Sequence, residues 1–246
     1  MNISIIIPCK NEASILPSLL DALIKQTSPA HEIIVVNSGS TDTTVAVANT
    51  YKKKANILVI TAKQPGVAEA RNAGGRAATG KMLLFIDADS EINPEFLAVL
   101  KMEMTTRSLD TAGVAQRMKS QNIGLRTGAR IMNAYARCMA HTPWPIAISM
   151  VVTSKKTFDA IDGFDPKIWI MEDYDFALRA HRAGAKFGIV SNTYFISSDR
   201  RYRDASSRHI IRGFYAEMYR YTHKLRITKP LYDYKMGGDS RPRTRS

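Results

Sequence analysis

Four short apolar runs, at residues 3–7, 33–36, 57–60 and 82–86, alternate with helix-like stretches at 13–25, 41–51 and 67–78. Runs of this length that are apolar throughout fit strands buried on both faces. Repeated strand–helix units with short connections then predict a mainly parallel sheet flanked by helices, an α/β fold. Within the first helical stretch, Ile15, Leu19, Leu20, Leu23 and Ile24 fall at helical spacing and supply a buried face. Beyond residue 93 the pattern loosens. Helices are expected at 94–104, 125–139, 155–161 and 172–182, the last closed by Gly184, and strands at 113–118, 146–153 and 187–190. A chain of 246 residues with 45% apolar content can bury a full core as one domain.

Two acidic clusters stand out against this frame. Asp87-Ala88-Asp89 follows the apolar run 82–86, which places both carboxylates at the carboxyl edge of a buried strand, where open α/β sheets bind ligands. Two carboxylates around one small residue can face a hard divalent cation, and Mg²⁺ or Mn²⁺ takes oxygen ligands together with phosphate oxygens. Glu172-Asp173-Tyr174-Asp175 opens a helix, where the dipole favours negative charge. A cation for a leaving group and a carboxylate base for a nucleophile are what displacement at a phosphate-activated carbon requires. Glycosyl transfer fits that description.

Three loops add polar groups at the same edge: Pro8-Cys9-Lys10-Asn11-Glu12, Asn37-Ser38-Gly39-Ser40-Thr41-Asp42, and the Gly66–Gly74 segment with Arg71. Side by side in a parallel sheet, Glu12, Asn37 and Asp42 can meet a sugar hydroxyl or a base edge. Arg71 can reach back toward phosphate or base. No loop has the glycine spacing of a dinucleotide fold or a P-loop, which disfavours both.

In order along the chain these segments resemble the family 2 glycosyltransferases. The first two loops look like that family's opening motifs, and Gly66–Gly74 looks like its Gly-x-x-x-Ala-Arg-Asn-x-Gly segment. Asp87-Ala88-Asp89 resembles its Asp-x-Asp motif, and Gly163-Phe164-Asp165 followed by Glu172–Arg179 resembles its acceptor-side block. The resemblance implies a GT-A fold, an inverting mechanism and a nucleoside-diphosphate-sugar donor. It further implies that Pro8, Glu12 and Arg71 hold the nucleoside and its phosphates, with Asn37 beside the base. Asp87 would contact the ribose or the metal, Asp89 would ligate Mg²⁺ or Mn²⁺, and Asp173 would be the general base. Arg200 or Arg201 would serve where the family closes a loop over the diphosphate. The family often has acidic residues where this chain has Asn37-Ser38, so the base is left open among uridine, guanosine and thymidine. Neither a Gln-x-x-Arg-Trp motif nor membrane helices occur, which predicts transfer of a single sugar. The expected organisation is one domain over 1–235, comprising a nucleotide-binding half (1–105), an acceptor half (106–200) and a basic amphipathic helix (201–235), with a disordered tail at 236–246.

Charge bears on partners. The formal net charge is +13, and from residue 197 onward 13 Lys and Arg face 5 Asp and Glu. Such a segment attracts phosphate on a nucleotide or an anionic membrane surface. The acceptor is left open among lipid-linked sugars, polysaccharide ends and proteins. The first apolar run begins almost at Met1, so no leader is expected and the reading is cytoplasmic, with peripheral contact at the inner face of the membrane. Two readings compete: a non-catalytic binder of nucleic acid or membrane surfaces, and a sugar-nucleotide pyrophosphorylase. The second expects a glycine-rich, arginine-containing loop after the first strand, which Pro8–Glu12 is not. Aromatic residues at helical spacing in 207–225 fit packing better than base stacking, which disfavours nucleic acid.

Overall fold

The computed structural model describes residues 1–198, 219 and 226–228. One eight-stranded mixed sheet runs through the molecule. Its first part is the expected βα succession: β1 (Ile3–Cys9), α1 (Leu16–Ile24), β2 (Glu32–Asn37), α2 (Thr44–Thr50) with a 3₁₀ turn (Tyr51–Lys53), β3 (Ile57–Thr61), α3 (Val67–Ala77) and β4 (Met82–Phe85). The second part comprises β5 (Glu91–Ile92), α4 (Phe96–Thr106), β6 (Thr111–Lys119), α5 (Ile123–Met139), β7 (Val151–Ser154), α6 (Lys155–Ala160), α7 (Glu172–Arg182) and β8 (Phe187–Ser198). The strand order is β3-β2-β1-β4-β7-β6-β8-β5. Strands β3, β2, β1 and β4 are mutually parallel, β7 and β5 run antiparallel to their neighbours, and β6 pairs β8 in parallel.

The apolar runs of β1, β2 and β4 are continuous because both sheet faces are covered there, whereas in edge strand β3 Leu58 is exposed. Successive side chains of a strand alternate between faces. Ile3, Ile5, Ile7, Ile33, Val35 and Leu84 join Leu16, Leu20, Phe96 and Leu100 in one core. Ile6, Ile34, Val36, Leu83 and Phe85 join Phe158, Phe164 and Phe176 in the other. In the second core the Phe164 ring stacks on Phe176 at 4.5 Å and meets Phe85 edge-on at 5.0 Å.

Helix α3 lies unusually close to the sheet. A Cβ on Gly74 would sit 2.4 Å from Ile6 Cγ2 and 2.9 Å from Val36 Cγ2. Only a bare backbone permits that approach. The same closeness sets how far the Arg71 side chain lies from the end of β4.

Two strand expectations need correction. The run 146–153 is not one strand: Ser149 is left-handed (φ 59°), and β7 starts only at Val151. The final strand does not stop at residue 190. Its register against β6 jumps from Val114↔Val190 to Ala115↔Tyr194, and β8 continues to Ser198. Buried Glu103 holds the irregular segment by accepting the Ser191 and Asn192 amides at 3.1 and 2.7 Å. Short β5 was not anticipated, since two residues carry too little pattern. The amphipathic helix expected at 207–225 and the tail at 236–246 lie outside the described residues, apart from Tyr219, which is helical.

Candidate active site

Strands β1, β2 and β4 end together, and their loops are knitted by hydrogen bonds. Asn11 Oδ1 accepts the Thr41 amide at 2.8 Å, and the Glu12 amide donates to Thr44 Oγ1 at 2.9 Å. Asn37 Oδ1 accepts the Ser40 amide at 2.9 Å, and the Gly66 amide donates to Ser38 Oγ at 3.2 Å. Asp42 accepts from the Thr44 amide and hydroxyl and from the Ala13 amide. Its burial opposes ionisation, but these hydrogen bonds win and hold the carboxyl below the usual range. Asp42 thus ties the first two loops together. Pro8 ends its strand half-buried, and Glu12 is buried at the start of the next loop.

Arg71 joins the two acidic clusters. It is buried to 2% exposure; its Nη1 donates to Glu172 Oε1 at 2.6 Å and its Nη2 to Asp87 Oδ1 at 3.1 Å. Burial alone would lower its pKa, yet the Asp87, Glu172 and Asp173 carboxylates raise it, so the guanidinium stays charged. Its plane lies over the Phe164 ring at 5.2 Å. Arg71 Nε has no hydrogen-bond partner among the described residues.

Asn72, the next residue, closes the frame from the opposite side. Its Nδ2 donates to the Phe164 carbonyl and its Oδ1 accepts the Phe164 amide, both at 2.7 Å. The turn before Phe164 uses left-handed Asp162 and Gly163. The Gly66–Gly74 segment and the Gly163-Phe164-Asp165 turn are thereby held in fixed relation, although 92 residues separate Asn72 from Phe164.

Asp173 lies in the first turn of α7, 8% exposed. The residue before the helix, Met171, is left-handed. One carboxylate oxygen accepts the Tyr174 amide at 3.0 Å and the other accepts the Ser149 amide. Burial pushes the Asp173 pKa up and neighbouring Glu172 adds to the effect, against the pull of Arg71 and the two amides; the result is about 7. Each oxygen retains a lone pair, so the group can accept a proton.

Asp175, 2% exposed, faces away into a separate charge cluster. Arg179 Nε and Arg226 Nε donate to it at 2.6 and 3.0 Å, and Arg226 also meets Asp165. The Ile227 carbonyl accepts the Trp169 amide at 2.7 Å. Residues 226 and 227 therefore brace the approach to α7, a contact with no local sequence signal.

Asp87 and Asp89 flank buried Ala88 after β4, both partly exposed. Among the described residues no group of three or more His, Cys, Asp or Glu could hold a metal ion. Two carboxylates remain, a donor set suited to a divalent cation whose other positions are filled by phosphate oxygens and water. Arg200, expected near the diphosphate, lies outside the described residues. Among the described residues no helix is long and apolar enough to cross a membrane.

Known proteins are similar to this chain in sequence and in fold. The chain is 36% identical over 111 residues to the uncharacterized glycosyltransferase YibD of Escherichia coli, an alignment covering 45% of this chain and 32% of that protein. It is 40% identical over 102 residues to the poly(ribitol-phosphate) beta-glucosyltransferase of Bacillus spizizenii, covering 39% of this chain and 16% of that protein. These alignments thus span a third or less of either relative. Among solved structures, the mannosyltransferase PcManGT from Pyrobaculum calidifontis, in complex with GDP-Man and Mn²⁺, superposes with TM-score 0.70 at 19% identity, covering 89% of this chain and 64% of that one. S. aureus TarS 1-349 in complex with UDP-GlcNAc superposes with TM-score 0.66 at 21% identity, covering 80% and 58%. The fold is therefore GT-A. The model of glycosyl transferase family 2 matches residues 4–170, more than half of the sequence, and the chain belongs to that family.

Proposed function

We propose that this protein transfers one sugar from a nucleoside-diphosphate sugar to an acceptor hydroxyl, with inversion at the anomeric carbon and Asp173 as the general base. The observation that carries this reading is the Arg71 bridge, which brings the Asp87 cluster and the Glu172-Asp173 cluster to one place. Pro8, Glu12 and Asn37 line the nucleoside side. Arg71 Nε offers a buried donor to phosphate, and Asp87 with Asp89 provides carboxylates for Mg²⁺ or Mn²⁺. Bound there, the cation would stabilise negative charge on the departing diphosphate.

The chain's own groups do the rest. An acceptor hydroxyl hydrogen-bonds to Asp173, which takes its proton as the oxygen attacks the anomeric carbon opposite the diphosphate. With a pKa raised to about 7, the Asp173 carboxylate is a stronger base than an exposed aspartate and is still ionised for much of the population near neutrality. The Ser149 and Tyr174 amides fix its orientation. Arg71 keeps positive charge beside the leaving group throughout.

A panel of nucleotide sugars assayed with Mn²⁺ tests this reading through Asp89→Ala and Asp173→Asn. Both variants should lose transfer by about a thousandfold. Full turnover by Asp173→Asn would remove the base assignment. The single domain over 1–235 and its nucleotide and acceptor halves belong to the same proposal.

A further inference from the structure

A second surface has no role in the transfer reaction. Helix α5 contains no Asp or Glu in its 17 residues. Leu125, Ala129 and Ala136 form its buried side. On the outer side Arg126, Arg130 and Arg137 are exposed, and none makes an ion pair with a described residue. At 100° per residue these arginines form one row, and Ile123, Thr127, Ile131 and Ala134 form an adjacent strip. Ile123 is 69% and Ile131 63% exposed. In the loop after the helix, Trp144 is 47% exposed.

Two open isoleucines, beside three arginines with no ion-pair partner among the described residues, gain nothing from water. A β-branched residue on an exposed helix face adds neither helix propensity nor solubility. Cationic heads beside an apolar strip suit the headgroup boundary of an anionic membrane, as does an exposed indole in the following loop. Nucleic acid would use the arginines and leave the isoleucines in water.

We propose that the outer face of α5, continued by Trp144, docks on an anionic lipid bilayer. The inference is independent of the transfer reaction and of the basic segment beyond residue 197.

Flotation of the full chain with phosphatidylcholine vesicles, with and without phosphatidylglycerol, tests the proposal. The chain should float only with the anionic vesicles. Combined Arg126→Glu, Arg130→Glu and Arg137→Glu should lower partitioning by at least about a hundredfold. Ile123→Ser with Ile131→Ser should lower it about tenfold. Circular dichroism checks folding, and the milder Arg→Gln set at the same three positions serves if the Glu set misfolds. Arg241→Gln, Arg243→Gln and Arg245→Gln should leave most binding intact. Wild-type flotation by the α5 charge variants would overturn the proposal, as would no binding to anionic vesicles. Sedimentation showing a dimer that the Ile pair abolishes, or salt-sensitive DNA binding without flotation, would assign the face to another occupant and likewise overturn it.

Discussion

Arg71 and Glu172 meet at 2.6 Å, and the same guanidinium meets Asp87 at 3.1 Å. One buried cation thus neutralises a carboxylate from each half of the candidate site. Replacing it by Ala leaves the partly exposed Asp87 and Glu172 carboxylates, and buried Asp173 beside them, without the cation, a destabilising change that solvent at Asp87 and Glu172 moderates. Arg71→Lys keeps the charge but not the fork that reaches both carboxylates. Arg71→Lys should lose about a hundredfold in kcat/KM, and Arg71→Ala more. In Arg71→Ala the Asp173 pKa should rise, since Arg71 is among the groups that lower it, and in Arg71→Lys, which keeps the charge, it should rise less. Steady-state kinetics across pH give both readouts.

Asp173 should imprint its titration on activity. A base must be deprotonated to act, so the rate should rise with pH, reach half of its plateau near pH 7 and level off above it. Asp173→Asn should remove that limb together with about a thousandfold of the rate. Stability carries the opposite sign. A carboxyl whose pKa is raised on folding contributes stability that is present below its unfolded value and lost as pH rises through about 7. Asp173→Asn should therefore be more stable than wild type at pH 8, by at least about 1 to 2 kcal/mol, with the difference shrinking as pH falls through about 7 and closing only below about pH 4. Urea unfolding at the two pH values measures it.

Asn72 should matter for stability before chemistry. Its amide makes two buried hydrogen bonds to one peptide unit, and Asn72→Ala leaves that Phe164 unit unsatisfied. The expected cost is about 2 to 3 kcal/mol, read as a lower urea midpoint with unchanged slope. Asn72→Asp keeps the acceptor but sets a second oxygen against the Phe164 carbonyl in a buried place, and should cost at least as much.

Metal dependence should reside in Asp89. Titration calorimetry of nucleoside diphosphate should show binding strengthened by Mn²⁺ in wild type and not in Asp89→Ala. Circular dichroism should be unaltered, because Asp89 lies in a partly exposed turn after β4.

The strands around the site were legible because each is buried on both faces and so reads as an unbroken apolar run. Asp87 and Asp173 were legible for a related reason: strand ends and helix starts are positions where a carboxylate has a physical rationale. What stayed hidden depends on tertiary contact. Ser149 occurs inside an apolar stretch that reads as strand, and only its left-handed backbone turns its amide toward Asp173. The bulge in β8 is held by Glu103, 88 residues from Ser191. Asp42 joins loops that only the parallel pairing of β1 with β2 brings together, a role with no local sequence signal. Arg226 carries no periodic signal, and its meeting with Asp175 spans 51 residues.

Crystals of the full chain soaked with Mn²⁺ and a nucleoside-diphosphate sugar test whether donor and base share one site. The anomalous Mn²⁺ peak should lie within coordination distance of an Asp89 oxygen, with the sugar between that ion and Asp173. An ion bound elsewhere, or a sugar turned away from Asp173, would contradict the assignment of donor and base to one site.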